Sequence, residues 1–255
     1  MLKKRTILIA LCGILALSGK SWAQDTPSID DKVDVGLSLN LDAFFGFNPM
    51  MAISYALSDS DALTFYGIQW GAGTGSAWGQ WTEFGIGYNK TVGAFDINPQ
   101  LGFTMGSLLS SGAAQPGIIG DGIVPNLTVN LGTEQLEGQF YFGYYAALSD
   151  ETEAVQAPNP LQSTNNYVHY WANLGYKVSD FFSVGGHFEE LFLSGGSTNG
   201  GGDLDRADGY VWLGPYIQFQ KGNAGLRFSF GGNLADEDDR FAPNDFYKLA
   251  FFMSL

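Results

Sequence analysis

Apolar and polar residues alternate with a period of two along most of the chain. In the stretch VDVGLSLNLDAFFGF, apolar side chains occupy every second position from Val33 to Phe47, and the positions between them are mostly polar or small. This period is the pattern of a β-strand with one apolar face. Eleven further runs lie near residues 50–57, 63–70, 81–89, 95–106, 123–131, 138–148, 167–178, 181–193, 210–220, 225–233 and 246–255. The pattern predicts an all-β chain of about twelve strands.

The segments between these runs alternate in length. Short turns follow the even-numbered runs, at 58–61, 90–93, 132–135, 179–180 and 221–223. Longer segments follow most odd-numbered runs, at 71–80, 107–122, 149–166, 194–209 and 234–245, whereas residues 48–50 are expected to close the first connection tightly. This alternation is typical of a single antiparallel transmembrane β-barrel in the outer membrane of Gram-negative bacteria, with short periplasmic turns and longer extracellular loops.

The composition of the two faces indicates which one meets lipid. In the run 95–106, the apolar face alternates with Asp96, Asn98, Gln100, Gly102 and Thr104. These residues are small, amide-rich and hydrogen-bonding, which suits a wet lumen better than a surface covered with Lys and Glu. We therefore expect the apolar face to point outward into the membrane.

The first residues have the layout of a secretory signal peptide. Lys3, Lys4 and Arg5 precede an apolar run at 6–17, and Ser21-Trp22-Ala23 forms a small-x-small cleavage site. The apolar run is too short for a membrane-spanning helix. We expect residues 1–23 to be removed and residues 24–255 to form the barrel. The single cysteine, Cys12, leaves with the signal, so the mature chain is expected to contain no disulfide.

The charge balance excludes one class of partner. The chain has 12 basic and 26 acidic residues, and four of the basic residues lie within 1–23. The remaining 8 basic residues and 26 acidic residues give the mature chain a net charge of −18. Nucleic acid is not expected as a partner, because its phosphates would be repelled.

The last run, FYKLAFFMSL, carries a resemblance to a known superfamily. Tyr247, Leu249, Phe251, Met253 and Leu255 occupy alternate positions. This ending resembles that of porin-like outer-membrane β-barrel proteins, which typically finish in an amphipathic strand with an aromatic or large apolar last residue. Leu255 stands where Phe is usual. The resemblance implies that the outer-membrane assembly machinery reads this strand, and that outer-membrane lipids and lipopolysaccharide surround the barrel. Pairing of the last strand with the first would leave no edge open in lipid.

The two histidines, His169 and His187, are the candidates for a catalytic site. An outer-membrane lipase or deacylase needs a serine activated by histidine, often spaced His-x-Ser, and neither His169 nor His187 has that spacing. His187 and Glu189 share a strand face and form either an acid–base pair or a lumen hydrogen bond. No enzyme activity and no cofactor are expected.

Two further groups are predicted inside the barrel. Charged residues on the first and last two strands are expected to pair at the closing seam and fix its register. These are Asp34, Asp42, Arg227 and Lys248. Aromatic side chains from the later strands form either a wall for a sugar or flat solute or simple filling of the lumen. They are Tyr141, Tyr145, Trp171, Tyr210, Trp212 and Tyr216.

Three prolines and a pair of adjacent glutamates do not fit regular strands with one apolar face. Pro99, Pro125 and Pro215 each remove a ladder hydrogen bond, and a bulge or distortion is expected at the mid-strand Pro215. Glu189 and Glu190 are adjacent, so strict alternation points one of them toward lipid. Either that carboxylate lies at the membrane interface, or a bulge resets the phase and turns Leu191 and Leu193 outward.

Acidic residues cluster in three of the predicted extracellular loops. They are Asp150, Glu151, Glu153, Asp203, Asp205, Asp208, Asp236, Glu237, Asp238 and Asp239. Their field would favour cations at the mouth and could share divalent ions with lipopolysaccharide, although solubility of exposed loops explains them equally well. No metal site is expected, because the calcium-like spacing of Asp203 and Asp205 lacks its further ligands.

These features together predict a passive, porin-like channel for small solutes with a preference for cations. The alternative is a closed barrel whose acidic loops bind ions or a surface partner.

Overall fold

The computed structural model describes residues 31–70, 81–105, 110–111, 122–148, 163–198, 202–238, 240 and 242–255. Residues Asp34–Leu255 form one compact unit. The expected signal peptide, residues 1–23, lies outside the described residues. Within those residues there is no helix of the length and apolarity needed to cross a membrane.

The described residues contain thirteen strands. These are β1 (Val33–Asp42), β2 (Gly46–Ala56), β3 (Asp61–Trp70), β4 (Trp81–Val92), β5 (Phe95–Met105), β6 (Ser110–Ser111), β7 (Gly122–Gly132), β8 (Leu136–Ala147), β9 (Ser163–Lys177), β10 (Phe182–Thr198), β11 (Ala207–Lys221), β12 (Ala224–Asn233) and β13 (Asp245–Ser254).

Twelve of these strands close into an antiparallel barrel. Each barrel strand pairs with its neighbours along the chain, and β13 pairs with β1 from Gly36↔Ser254 to Asp42↔Lys248. The two-residue strand β6 pairs with the first residues of β9 and is not part of the closed ring. Closure gives every barrel strand two partners, which is the condition for a sheet to exist in lipid. The predicted twelve-strand barrel is confirmed.

The alternation along the strands separates the exterior from the lumen. In β3, Leu63 and Phe65 are exposed, whereas Thr64, Tyr66 and Ile68 are buried. The other strands repeat the pattern, and their outward side chains form an apolar exterior. It includes Ile86, Phe95, Leu101, Phe140, Phe142, Leu174, Leu213, Phe228, Phe230, Leu249 and Phe251. An apolar exterior around a polar and aromatic interior is the arrangement of an outer-membrane β-barrel, and the outer membrane is where this chain lies.

The three strand prolines interrupt hydrogen-bond ladders without shifting the register. Pro99 lies opposite a gap in the β4–β5 pairing, Pro125 in a gap of β7–β8, and Pro215 in a gap of β11–β12. The pairs on either side of each gap keep the same register. Each proline lacks the N–H that one neighbour would accept, so one ladder opens locally while the other remains intact. Pro215 thus distorts its strand as expected, but no bulge accompanies it.

A bulge does occur between β10 and β11, a few residues before Pro215 along β11. The register between β10 and β11 shifts between Leu191 and Phe192. Leu191 is nevertheless buried inside the barrel, so the expectation that a bulge turns it outward is wrong. Glu190 instead follows the strict alternation. It accepts a hydrogen bond from Tyr170 and forms an ion pair with Arg206 at 2.8 Å, which compensates its charge on the outer side of the strand.

Candidate functional site in the barrel lumen

The first turn at the long-loop end folds into the barrel mouth. Ala43–Phe45 form the turn between β1 and β2, and the backbone N–H groups of Phe44 and Phe45 donate to Asp42 Oδ1 at 2.8 and 2.6 Å. Gly46, with φ of 68°, supplies the left-handed residue that ends such a three-residue turn. Asn48 Nδ2 donates to Asp42 Oδ2 at 3.3 Å. Asp42 therefore holds the turn in one conformation.

This turn corrects two expectations from the sequence. Alternation placed Ala43, Phe45 and Phe47 on one outward face and the turn at residues 48–50. In the structure Phe45 points inward, while Phe47 is exposed on the outside. The chain reverses five residues earlier than predicted, because Asp42 and Gly46 stabilise a turn there. The spacing of Asp42 and Gly46 was the available signal.

The two phenyl rings pack onto an aromatic layer in the lumen. Phe44 meets Tyr210 with ring centroids 5.2 Å apart, and Phe45 lies 4.7 Å from Trp70 and 5.7 Å from His169. Tyr210, Trp212 and Phe246 continue the layer as a stack, with centroids 3.8 and 4.9 Å apart. We call these residues the aromatic layer: Phe44, Phe45, Trp70, Tyr210, Trp212 and Phe246. The layer fills the lumen at its long-loop end.

The six aromatic residues named from the sequence all lie inside the barrel, but they do not form one wall. Tyr210 and Trp212 belong to the aromatic layer. Tyr141 stacks on Trp171 at 4.0 Å and shares a hydroxyl contact with Tyr145. Tyr216 lies apart, where its hydroxyl donates to Glu137 at 3.0 Å and Arg227 covers its ring. Only Tyr141 and Trp171 of the six border the lumen cavity described below.

A buried ionic cluster lies against the aromatic layer and centres on Glu189. Its carboxylate forms an ion pair with Lys248 and accepts hydrogen bonds from His169 at 2.9 Å and Tyr210 at 2.7 Å. His187 Nε2 lies 3.1 Å from Glu189 Oε2, but without the alignment of a hydrogen bond. His187 Nδ1 instead contacts Asn173 Oδ1 at 2.7 Å. Each histidine is therefore held by a carboxylate or amide, and neither is hydrogen-bonded to a serine within the described residues.

The predicted pairing of acids and bases at the closing seam is wrong. Lys248 faces Asp42 in the register of β1 and β13, yet its ammonium group reaches across to Glu189. The turn backbone and Asn48 already satisfy Asp42. Arg227 donates to Gln218 at 2.8 Å, and Asp34 accepts a hydrogen bond at 2.5 Å from Ser254. The main-chain ladder, rather than ion pairs, holds the seam.

A second buried carboxylate, Glu83 on β4, was not identified from the sequence. Tyr66 donates to its Oε1 at 2.6 Å and the indole of Trp70 donates to its Oε2 at 3.0 Å. Gly102 makes this arrangement possible, because a Cβ there would lie 2.3 Å from the Tyr66 hydroxyl. The signal was present in the alternation, since Glu83 falls in the inward phase next to the outward Phe84.

A cavity of about 470 Å³ lies in the lumen beside these clusters. Three carboxylates border it, from Asp42, Glu83 and Glu189, together with two basic side chains, from Arg227 and Lys248. The rest of its polar lining consists mainly of amides and hydroxyls. These include Ser38, Asn40, Asn48, Gln100, Asn126, Thr128, Gln139 and Asn173. The cavity is of a size that accommodates a small solute.

The acidic loop residues are partly compensated by arginines. Arg206 pairs with Asp208 at 3.2 Å as well as with Glu190, and Arg240 pairs with Glu237 at 3.1 Å. Asp203, Asp205, Asp236 and Asp238 are exposed. Asp150, Glu151, Glu153 and Asp239 lie outside the described residues. Where the structure describes the chain, no group of three or more histidine, cysteine or acidic residues is arranged to hold a metal ion.

Comparison with known proteins supports the fold. The sequence matches a family of unknown function, DUF6733, over residues 1–255, and no curated protein matches it. The COG4313 outer membrane channel from Pseudomonas putida F1 is similar in structure, with a TM-score of 0.55 and 10% identity over 91% of this chain and 98% of that chain. The NanC porin has a TM-score of 0.47 and 10% identity, covering 88% and 100%. The KdgM porin has a TM-score of 0.44 and 11% identity, covering 87% and 99%.

Proposed function

This chain belongs to the family of unknown function DUF6733, and we propose that it is a passive outer-membrane channel for small solutes with a preference for cations. The observation that carries the proposal is the cavity inside a closed barrel, bordered by three carboxylates and two basic side chains. An excess of acidic groups in a lumen enclosed by a low-dielectric wall favours cations over anions. The similar COG4313 structure is itself an outer membrane channel.

The aromatic layer determines how such a channel would conduct. Tyr210 and Trp212 are fully buried, so this end of the lumen is packed with side chains. The layer rests on Phe44 and Phe45, which a short turn carries rather than the barrel wall. Passage therefore requires the Ala43–Phe45 turn to move outward. Because the opening made in this way is narrow, small solutes would pass one at a time and large solutes would be excluded.

A second function is favoured by the same packing. If the aromatic layer stays in place, the chain is a closed barrel, and its exposed acids at the long-loop end would bind ions or a surface partner. Among the residues that the structure describes, the candidates for this binding are Asp203, Asp205, Asp236 and Asp238. This alternative predicts no ion flow through the folded protein.

Single-channel recording separates the two functions. The protein is refolded without residues 1–23, folding is verified by heat-dependent gel mobility, and currents are recorded in a planar lipid bilayer under a KCl gradient. Discrete current steps are expected. Their reversal potential should lie closer to the equilibrium potential of K⁺ than to that of Cl⁻. A folded protein without current steps would contradict the channel and favour the closed barrel.

A further inference from the structure

Glu83 is a buried carboxylate whose hydrogen-bond donors are all neutral. Tyr66 and Trp70 donate to it at 2.6 and 3.0 Å, and Tyr145 supplies a further hydroxyl. Its side chain is almost fully buried, and no lysine, arginine or histidine among the described residues forms an ion pair with it. A buried carboxylate without a cationic partner is costly, so such groups in proteins are usually paired or bind a cation.

Asn126 presents an oxygen atom without a donor beside this carboxylate. The Tyr66 hydroxyl donates its proton to Glu83, so it must accept from Asn126 Nδ2 at 2.9 Å. The same Nδ2 group also donates to the Val124 carbonyl at 3.1 Å. These two bonds fix the orientation of the amide, and Asn126 Oδ1 is left buried and without a partner. Asn126 and Glu83 both border the lumen cavity.

We propose that Glu83 and Asn126 form a binding subsite for a small monovalent cation, such as K⁺ or Na⁺, on the wall of the lumen. Oxygen ligands suit a hard cation, and a single carboxylate with a neutral amide oxygen provides too little charge for a typical divalent site. The subsite rests on the proposed channel function and deepens it, because it assigns the cation preference to a place in the lumen.

Trp70 provides a direct readout, since its indole is hydrogen-bonded to Glu83. Thallium(I) resembles K⁺ and quenches tryptophan fluorescence on contact. Titration of the folded protein in detergent with thallium(I) nitrate is expected to show a saturable component of quenching. Potassium should compete for this component, and the larger cation choline should not. The W70F variant identifies the component that comes from Trp70.

The variants test which groups bind the ion. Glu83→Gln keeps the shape of the side chain but removes its charge, and it is expected to weaken the saturable component about fivefold or more. Asn126→Ala should weaken it in the same direction. Glu137→Gln is the matched control. This lumen carboxylate is held by Ser183 at 2.7 Å, Gln218 at 2.8 Å and Tyr216, away from the cavity lining. It loses the same charge and should leave the quenching unchanged.

The outcomes separate the subsite from the channel. Purely linear quenching of the folded wild-type protein overturns the subsite, and water or a proton then satisfies these oxygens. Equal quenching in wild type and E83Q also overturns it. In bilayers, E83Q is expected to lower the potassium-to-chloride permeability ratio severalfold, and an unchanged ratio places the selectivity elsewhere. A wild-type protein that is silent in bilayers but shows saturable quenching contradicts the channel alone.

Discussion

Glu189 shows how one buried residue organises the interior of this barrel. Its carboxylate contacts Lys248, His169 and Tyr210, which come from three different strands. The side chain is fully buried, whereas Lys248 remains about a quarter exposed. Removing one partner of a buried ion pair costs more than the pair contributes, because the remaining charge is left without compensation. Among the partners of Glu189, Lys248 should therefore be the one whose removal lowers the free energy of unfolding most.

We expect Lys248→Met to lower the free energy of unfolding by about 3 kcal/mol, since it leaves Glu189 charged and buried. Urea unfolding of the refolded protein in lipid vesicles measures the change. Lys90→Met is the control, because Lys90 pairs with Asp61 at 2.8 Å on the exposed surface, and such pairs contribute little. The double variant E189Q/K248M should recover part of the loss. A K248M protein as stable as wild type would show that Glu189 does not depend on this partner.

At the level of elements, the turn Ala43–Phe45 is the part of the site that period-two alternation could not reveal. The apolar residues from Val33 to Phe47 continue the alternation straight through it, so the pattern by itself predicts one long strand. The hydrogen bonds that the Asp42 carboxylate accepts from the turn backbone, together with the positive φ of Gly46, determine the local conformation. The inward direction of Phe44 and Phe45 follows from that turn and from the space between β3 and β11.

Replacing both phenyl rings tests whether this turn limits passage. The double variant F44S/F45S removes two large apolar side chains from the aromatic layer while keeping Asp42 and Gly46. We expect single-channel conductance to rise severalfold, because the layer loses the part carried by the turn. Phe47→Ser, on the lipid-facing side of the same hairpin, is the control and should leave conductance unchanged. Equal conductance in F44S/F45S and wild type would exclude the turn as the limiting element.

At the level of the whole molecule, the barrel was largely predictable and the lumen was not. The strand number, the closure and the lipid-facing side can be predicted from the period-two alternation, because every strand shows this local pattern independently. The partners of Lys248, Arg227 and Glu83 depend on which side chains meet across the lumen, and residues far apart in sequence determine that. The sequence predicts which charged residues point inward. It does not predict their partners, because these depend on how the closed sheet curves around the lumen.

The inside and the outside of the barrel can be compared at two adjacent residues of β5. Leu101 is exposed toward lipid, whereas Gln100 borders the lumen cavity. A lysine on the lipid-facing side near the middle of the membrane costs about 2–4 kcal/mol, whereas substitutions in the lumen mainly change selectivity. We therefore expect Leu101→Lys to destabilise the barrel by about that amount in urea unfolding from lipid vesicles. Gln100→Lys should leave stability nearly unchanged and weaken the preference for cations, because it places a positive charge beside the cavity. If the two lysines destabilised the protein equally, the assignment of this strand's faces to lipid and lumen would be wrong.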